Sequence, residues 1–315
     1  MTRRRPTPRP LTLASDFGSP YPAAMKGVIR RRTDAELVDV SHDLPRGTPR
    51  AAAFWLRFVL VEFPPAVHCV VVDPGVGTDR AAVAVRAGAH VIIAPDNGLA
   101  LPPARALAAG DHDPGVDTDR EPDKAEQTQV DVYRIEGFDP ASATFHGRDV
   151  FAPAAADIWE AIVAGGEATG DPEATDGPEA TAGETEPTPR GPAAVRERLD
   201  GLSWLCRTKK YADARIPEPT VRGDGEDAVV DGEVLVVDDF GNVITNVPGS
   251  VVEGRQDVRV NDEPVPVVGT FAAVSAGERL VTVGSHGYVE CDVNDGRGAA
   301  AFGLVPGDPV RFSFG

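Results

Sequence analysis

The stretch Val70-Val-Val-Asp-Pro-Gly-Val-Gly-Thr-Asp-Arg80 decides how this chain is read. A short Val-rich run predicts a buried strand, of the kind found inside a parallel sheet. Asp73-Pro74-Gly75 ends it with turn chemistry. Gly75 and Gly77 let the backbone pass close to another group, and Arg80 follows one short loop later. Ligands of open α/β sheets bind at the carboxyl ends of strands, which places Asp73 at the mouth of a site. The same residues also suit a capped turn with a surface ion pair.

The segments around that strand alternate. Residues 11–17 predict a strand ending at Asp16-Phe17-Gly18, and residues 23–32 a helix. Residues 36–40 predict a second strand, and residues 48–61 carry helical apolar spacing through Ala51, Phe54, Trp55, Phe58 and Val59. Strands at 81–86 and 90–94 follow, the second ending in Pro95-Asp96-Asn97-Gly98, and 130–135 predicts another. A helix is expected over 154–163, with Pro153 near its first turn. This order predicts a layered α/β domain around a mostly parallel sheet. From about residue 230 short Val-rich strands succeed one another with no helix pattern between them, apart from a short helical piece near 296–304, which predicts a small β-barrel or sandwich.

Between these parts the composition shifts. Residues 110–129 are acidic and polar, as befits a solvated insertion. Residues 165–192 repeat Gly, Ala, Glu, Thr and Pro and carry too little apolar surface to order themselves. The expected organisation is therefore an N-terminal domain over 1–164, an acidic linker and connecting segment over 165–214, and a C-terminal domain over 215–315.

The net charge is −18, and Lys occurs only at positions 26, 124, 209 and 210. A chain this acidic lacks the clustered cations that nucleic acid requires. No run of 18 apolar residues and no signal-peptide core is present, so a cytoplasmic protein without a membrane span is expected. The acidic, Lys-poor composition also suggests adaptation to high salt. Cys69, Cys206 and Cys291 form no metal or redox spacing, and Cys69 and Cys291 are expected in the core.

Asp16, Asp73 and Asp96 each follow a strand and precede Gly or Pro. Three such strands in one sheet line three carboxylates along one edge. That edge suits either a Mg²⁺ ion or a polyol with adjacent hydroxyls. No P-loop is present, and Gly75-Val76-Gly77 lacks the third Gly of a dinucleotide fingerprint. His146, before Gly147-Arg148-Asp149, suits either a helix entry or a functional site. His42, His90, His112 and His286 have no metal-ligand spacing to a partner. His68, at the start of the central strand, reads as structural.

Taken in order, Ser15-Asp-Phe-Gly18, Met25-Lys-Gly-Val-Ile29, Val72-Asp-Pro-Gly-Val-Gly-Thr-Asp-Arg80, Ala94-Pro-Asp-Asn-Gly-Leu99, Thr144-Phe-His-Gly-Arg-Asp-Val-Phe-Ala-Pro153 and Phe240-Gly-Asn-Val-Ile-Thr-Asn246 resemble the S-adenosyl-L-methionine (SAM) hydrolases. These adenosine-forming enzymes, also called SAM hydroxide adenosyltransferases, are related to the bacterial fluorinase and chlorinase. The resemblance runs from about residue 11 to the C-terminus, outside the acidic insertions. It implies that water attacks the ribose C5′ of SAM and releases adenosine and methionine, with no metal or redox cofactor. It implies that Asp73, Arg80 and His146 hold the water. By the same resemblance Asp16 holds the ribose hydroxyls, Asn242 reads the adenine edge, and Phe271 and Val293 flank the base. Asp238 and Ser285 hold the methionine end, with Glu290 in the same segment. A homotrimer with sites between subunits is a further implication.

The halogenases of this group replace the Asp of the Asp-Pro-Gly motif and carry Tyr-Ser in place of His146-Gly147. Both positions here keep the hydrolase pattern. The alternatives are a SAM-dependent halogenase and a SAM- or adenosine-binding sensor without turnover. Gly18-Ser-Pro-Tyr-Pro-Ala-Ala-Met25 departs from the family, which has a longer loop and an extra acid there, so contacts near Tyr21 are open.

Overall fold

The computed structural model describes residues 9–109, 130–164, 191–223, 225 and 228–314. The acidic insertion at 110–129, with His112, and most of the low-complexity stretch, 165–190, lie outside the described residues. The chain divides into two compact units, Met1–Arg215 and Ile216–Gly315.

The first unit is built on one sheet. Its strands are β1 (Leu11–Ser15), β2 (Leu37–Ser41), β3 (Val67–Val71), β4 (Ala82–Ala87), β5 (His90–Pro95), β6 (Val130–Ile135) and β7 (Leu205–Arg207), in the spatial order β2-β1-β3-β5-β4-β6-β7. The first four in that order run parallel, and β4, β6 and β7 extend the sheet antiparallel. Parallel neighbours need crossovers, and the helices Tyr21–Arg30 and Pro49–Val59 supply two of them. β4 and β5 instead turn back on each other through Gly88-Ala89, so they pair antiparallel.

Both faces of this sheet are covered, which is why β3 is buried throughout and apolar apart from His68. Val67, Cys69 and Val71 pack on one side with Met25, Ile29, Phe151 and Ile158. Val70 and Val72 pack on the other with Ala52, Leu56, Leu101 and Ala104. Cys69 and Cys291 are buried free thiols, and Cys206 is exposed.

Residues 191–214, expected only to connect, fold with the first unit. Their helix Pro192–Asp200 packs Val195 and Leu199 into the core, and β7 closes the sheet edge. Buried Asp131 of β6 ties these pieces together. It accepts from Arg86 of β4 at 2.7 Å, from Arg196 of that helix at 3.1 Å, and from Arg207 of β7.

The second unit holds β8 (Thr220–Arg222), β9 (Val229–Val237), β10 (Val243–Pro248), β11 (Asp257–Val260), β12 (Glu263–Pro266), β13 (Arg279–Val283), β14 (Tyr288–Val293) and β15 (Pro309–Ser313). The order is β12-β11-β15-β9-β10-β14-β13, with β8 also on β9. All the paired strands are antiparallel, and a bridge from Val267 to Val281 brings the two ends together, nearly closing a barrel. Val234, Val243, Val281, Val289 and Phe312 fill its interior. Among the described residues no helix is long and apolar enough to cross a membrane.

Candidate active site

β1, β3 and β5 are adjacent and parallel, so Asp16, Asp73 and Asp96 emerge at one edge of the sheet. The three do not share a task. Asp96 Oδ1 accepts from the Ala212 amide at 2.7 Å and fixes that segment. Asp16 and Asp73 line a cavity of about 360 Å³, together with Phe17, Tyr21, Arg46, Val71, Val76, Thr144, Phe145, His146 and Gly147. That size falls within the range of small-molecule sites.

Asp73 is almost fully enclosed, with 3% of its side chain exposed against 11% for Arg80. Arg80 Nη2 donates to Asp73 Oδ2, and its Nη1 donates to the Ala81 carbonyl. The guanidinium carbon lies 5.4 Å from the centre of the Phe151 ring. Asp73 Oδ1 and Arg80 Nε are buried without a hydrogen-bond partner among the described residues. A buried polar atom left unpaired costs about 1–3 kcal/mol, so the pair has capacity reserved for something else. Burial pushes the Asp73 carboxyl above its ordinary range, opposed by the charge and hydrogen bond of Arg80, the Gly75 amide and the charge of His146.

Gly77 explains how the loop after β3 reaches the segment that carries His146. Its φ is +81°, and a Cβ there would stand 2.6 Å from the Ala143 carbonyl oxygen. Only glycine permits both. His146 then opens a π-turn, Gly147–Phe151, which runs into the helix Ala152–Ala164. Such turns concentrate at functional sites. Gly147 is equally confined, since a Cβ would meet Met25 Sδ at 3.1 Å and the Phe17 and Phe145 rings at 3.2 Å.

Asp16 is oriented from the loop after β2. The Gly47 amide donates to its Oδ2 at 2.8 Å. Behind it Ser15 Oγ and His42 Nδ1 share a hydrogen bond of 2.8 Å, and His42 Nε2 reaches Asp39 Oδ1 at 3.0 Å. Asn97 Nδ2 donates to the Val72 carbonyl at 2.9 Å, bracing the residue before Asp73. Phe17, Tyr21 and Phe145 meet edge to face with centroids 5.2 to 6.4 Å apart and form an aromatic wall. Sequence reading had not singled out Arg46, Val76, Phe145 or Asn97, although Val76, Phe145 and Asn97 lay within quoted motifs and only Arg46 lay outside them.

The remaining expected residues lie in the second unit. Between β9 and β10 the Asn242 amide and Nδ2 donate to Asp238 Oδ1 and Oδ2 at 2.8 and 3.1 Å. The antiparallel register sets that turn beside the end of β14, where Val293 lies. Phe271, in a short turn, belongs to the loop that the Asn294 side chain holds through the Val274 carbonyl. Ser285 stands in the turn at the opposite end of β14. Glu290 between them bonds His286 Nε2 at 2.8 Å. Asp292, which sequence reading passed over, is wholly buried with both oxygens unpartnered among the described residues. Burial and the neighbouring carboxylates of Glu290 and Asp238 push it up to about 8. Among the described residues no group of three or more His, Cys, Asp or Glu side chains is arranged to hold a metal ion.

Residues 11–165 match the SAM hydroxide adenosyltransferase N-terminal domain, and residues 232–311 match the C-terminal domain of the same family. The chain belongs to this family. The (R)-S-adenosyl-L-methionine hydrolase of Salinispora tropica is 36% identical over 98% of this chain and 99% of its own length. The enzyme of that name from Thermus thermophilus is 36% identical over 96% and 99%. Among solved structures, an uncharacterised conserved protein from Thermotoga maritima aligns with a TM-score of 0.65 at 28% identity, covering 96% of this chain and 99% of that one. A conserved hypothetical protein from Thermus thermophilus aligns at 0.60 and 31%, with the same coverage.

Proposed function

We propose that this chain hydrolyses SAM to adenosine and L-methionine, with Asp73, Arg80 and His146 holding the attacking water. The observation that carries the reading is the free oxygen of Asp73, enclosed beside Arg80 in a cavity that also holds Asp16. The family membership and the names of its relatives support the same reaction.

The chemistry asks for little besides placement. The sulfonium leaves as a neutral thioether, so no acid is needed to protonate it. Water must stand in line with the C5′–S bond, and its proton needs an acceptor. Burial raises the proton affinity of Asp73, which suits it to accept from that water. Arg80 keeps the carboxylate from drifting too far up and stabilises developing hydroxide. His146, bordering the same cavity, orients the water from a second direction. Asp16 has one oxygen committed to Gly47, which leaves the other to accept from the ribose hydroxyls.

The proposal extends to Asn242, Phe271 and Val293 around adenine, and to Asp238, Ser285 and Glu290 at the methionine end. It includes a cytoplasmic homotrimer in which a neighbouring copy contributes these groups. The substrate contacts and the homotrimer rest on the family resemblance.

The test is incubation of the pure protein with SAM, in KCl and in a chloride-free salt, with the nucleoside identified by mass. Adenosine in both is expected. A chlorinated nucleoside would point to halogenation instead, and intact SAM would point to a binding protein without turnover.

A further inference from the structure

The first cavity has a neighbour. A second, of about 190 Å³, is bordered by Arg80 and by His146, which also borders the first. Asp73 faces the first cavity and its partner Arg80 the second. The ion pair and the imidazole therefore form a partition between two chambers. The first presents the aromatic wall of Phe17, Tyr21 and Phe145. The second sets Thr78, Asp79, Arg134 and Glu136 near Arg80, against apolar Ile135, Phe138, Val150 and Phe151. Arg134 and Glu136 keep 57% and 54% of their side chains exposed, so this chamber opens to bulk water.

We propose that the second chamber is the water inlet and proton outlet of the hydrolytic step. This rests on the SAM-hydrolase reading and adds a route to it. In each turnover a water O–H breaks, an O–C5′ bond forms, and the C5′–S pair of electrons returns to sulfur. SAM and water thus become adenosine, methionine and one proton, and that proton must leave. A substrate seated against the aromatic wall fills the space through which solvent would otherwise reach Asp73. Arg80 and His146 remain accessible from behind. The polar groups around Arg80 in the second chamber can hold ordered water, each molecule needing two to four polar partners. A chamber of this size admits water and excludes the nucleoside. His146, touching both chambers, stands where a proton passes from the reacting water to solvent.

Two variants that obstruct this chamber without touching the first test the route. Ala81→Leu narrows its floor, and Glu136→Trp covers its exposed rim, where folding is undisturbed. Both should bind SAM with wild-type affinity by calorimetry and form adenosine at least 10-fold more slowly. Wild-type turnover in folded Glu136→Trp would overturn the route, as would a matching loss of SAM affinity, which would make the chamber part of the substrate site. If Ala81→Leu fails to fold, Glu136→Trp alone decides. Failure of the wild-type protein to form adenosine would instead remove the SAM-hydrolase reading beneath the proposal.

Discussion

β1, β3 and β5 carry polar side chains at both of their ends, and the two ends treat them in opposite ways. At the amino end Thr12 Oγ1 and His68 Nδ1 share a bond of 2.8 Å, and His68 Nε2 and His90 Nδ1 share one of 3.0 Å. The two rings are parallel within 6° and buried. Burial, with the nearby charges of His90 and Arg9, drives His68 well below the ordinary histidine range, and burial with Arg9 takes His90 to about 4. At the carboxyl end Asp73, with 3% of its side chain exposed, keeps one buried oxygen free beside a cavity. Satisfied buried polar groups hold a fold together, whereas an unsatisfied one facing a cavity is available to a ligand. The same three strands thus separate an end whose buried polar groups are paired from one that leaves a carboxylate oxygen free beside a cavity.

That contrast is open to attack from each end. Asp73→Asn keeps the shape and removes the proton acceptor. It should lower kcat by about 10³-fold or more while leaving thermal stability near that of the wild type, as steady-state kinetics and calorimetry will show. His68→Ala should do the reverse. A cavity in the core and two stranded partners should cost about 2–4 kcal/mol in urea unfolding, with kcat per folded molecule unchanged. Asp16→Ala should act between these, raising KM for SAM about 10-fold or more with a smaller change in kcat, because it loses hydrogen bonds to the ribose.

The smallest expected effect is a pH dependence at the amino end. His90 titrates near 4 folded against 6.5 ordinarily, so the unfolded chain binds the extra proton first. Its contribution is fully present above pH 6.5 and is lost as pH falls toward 4. Between pH 7 and 5.5 the loss should be about 1 kcal/mol. A His90→Asn variant should lack that share of the slope in urea titrations at the two pH values. An unchanged slope would mean that the imidazole is not held neutral in the fold.

The cavity end of these strands was largely legible in the sequence. Asp16 and Asp73 follow strands whose apolar runs and turn residues are plain, and Gly77 marked a close approach that proved to be the Ala143 carbonyl. The helix Leu101–Ala109 was not foreseen, because Leu101-Pro102-Pro103 reads as a breaker. The prolines sit in its first turn, where their missing N–H groups are not needed. Asp96 had the same local pattern as Asp73, yet its carboxylate serves the Ala212 amide, 116 residues away in sequence. Asn97, Arg46 and the free oxygens of Asp292 owe their settings to long-range packing, which no short pattern encodes. β8 escaped notice for the opposite reason. It is three exposed residues leaning on β9, with no buried alternation to announce it.

The most direct measurement of the central claim follows the oxygen. The protein is supplied with SAM in oxygen-18 water, and the products are resolved by mass. If the water held at Asp73, Arg80 and His146 attacks C5′, adenosine gains one heavy oxygen at its 5′ position and methionine gains none. Label in methionine, or adenosine formed without label, would contradict the account.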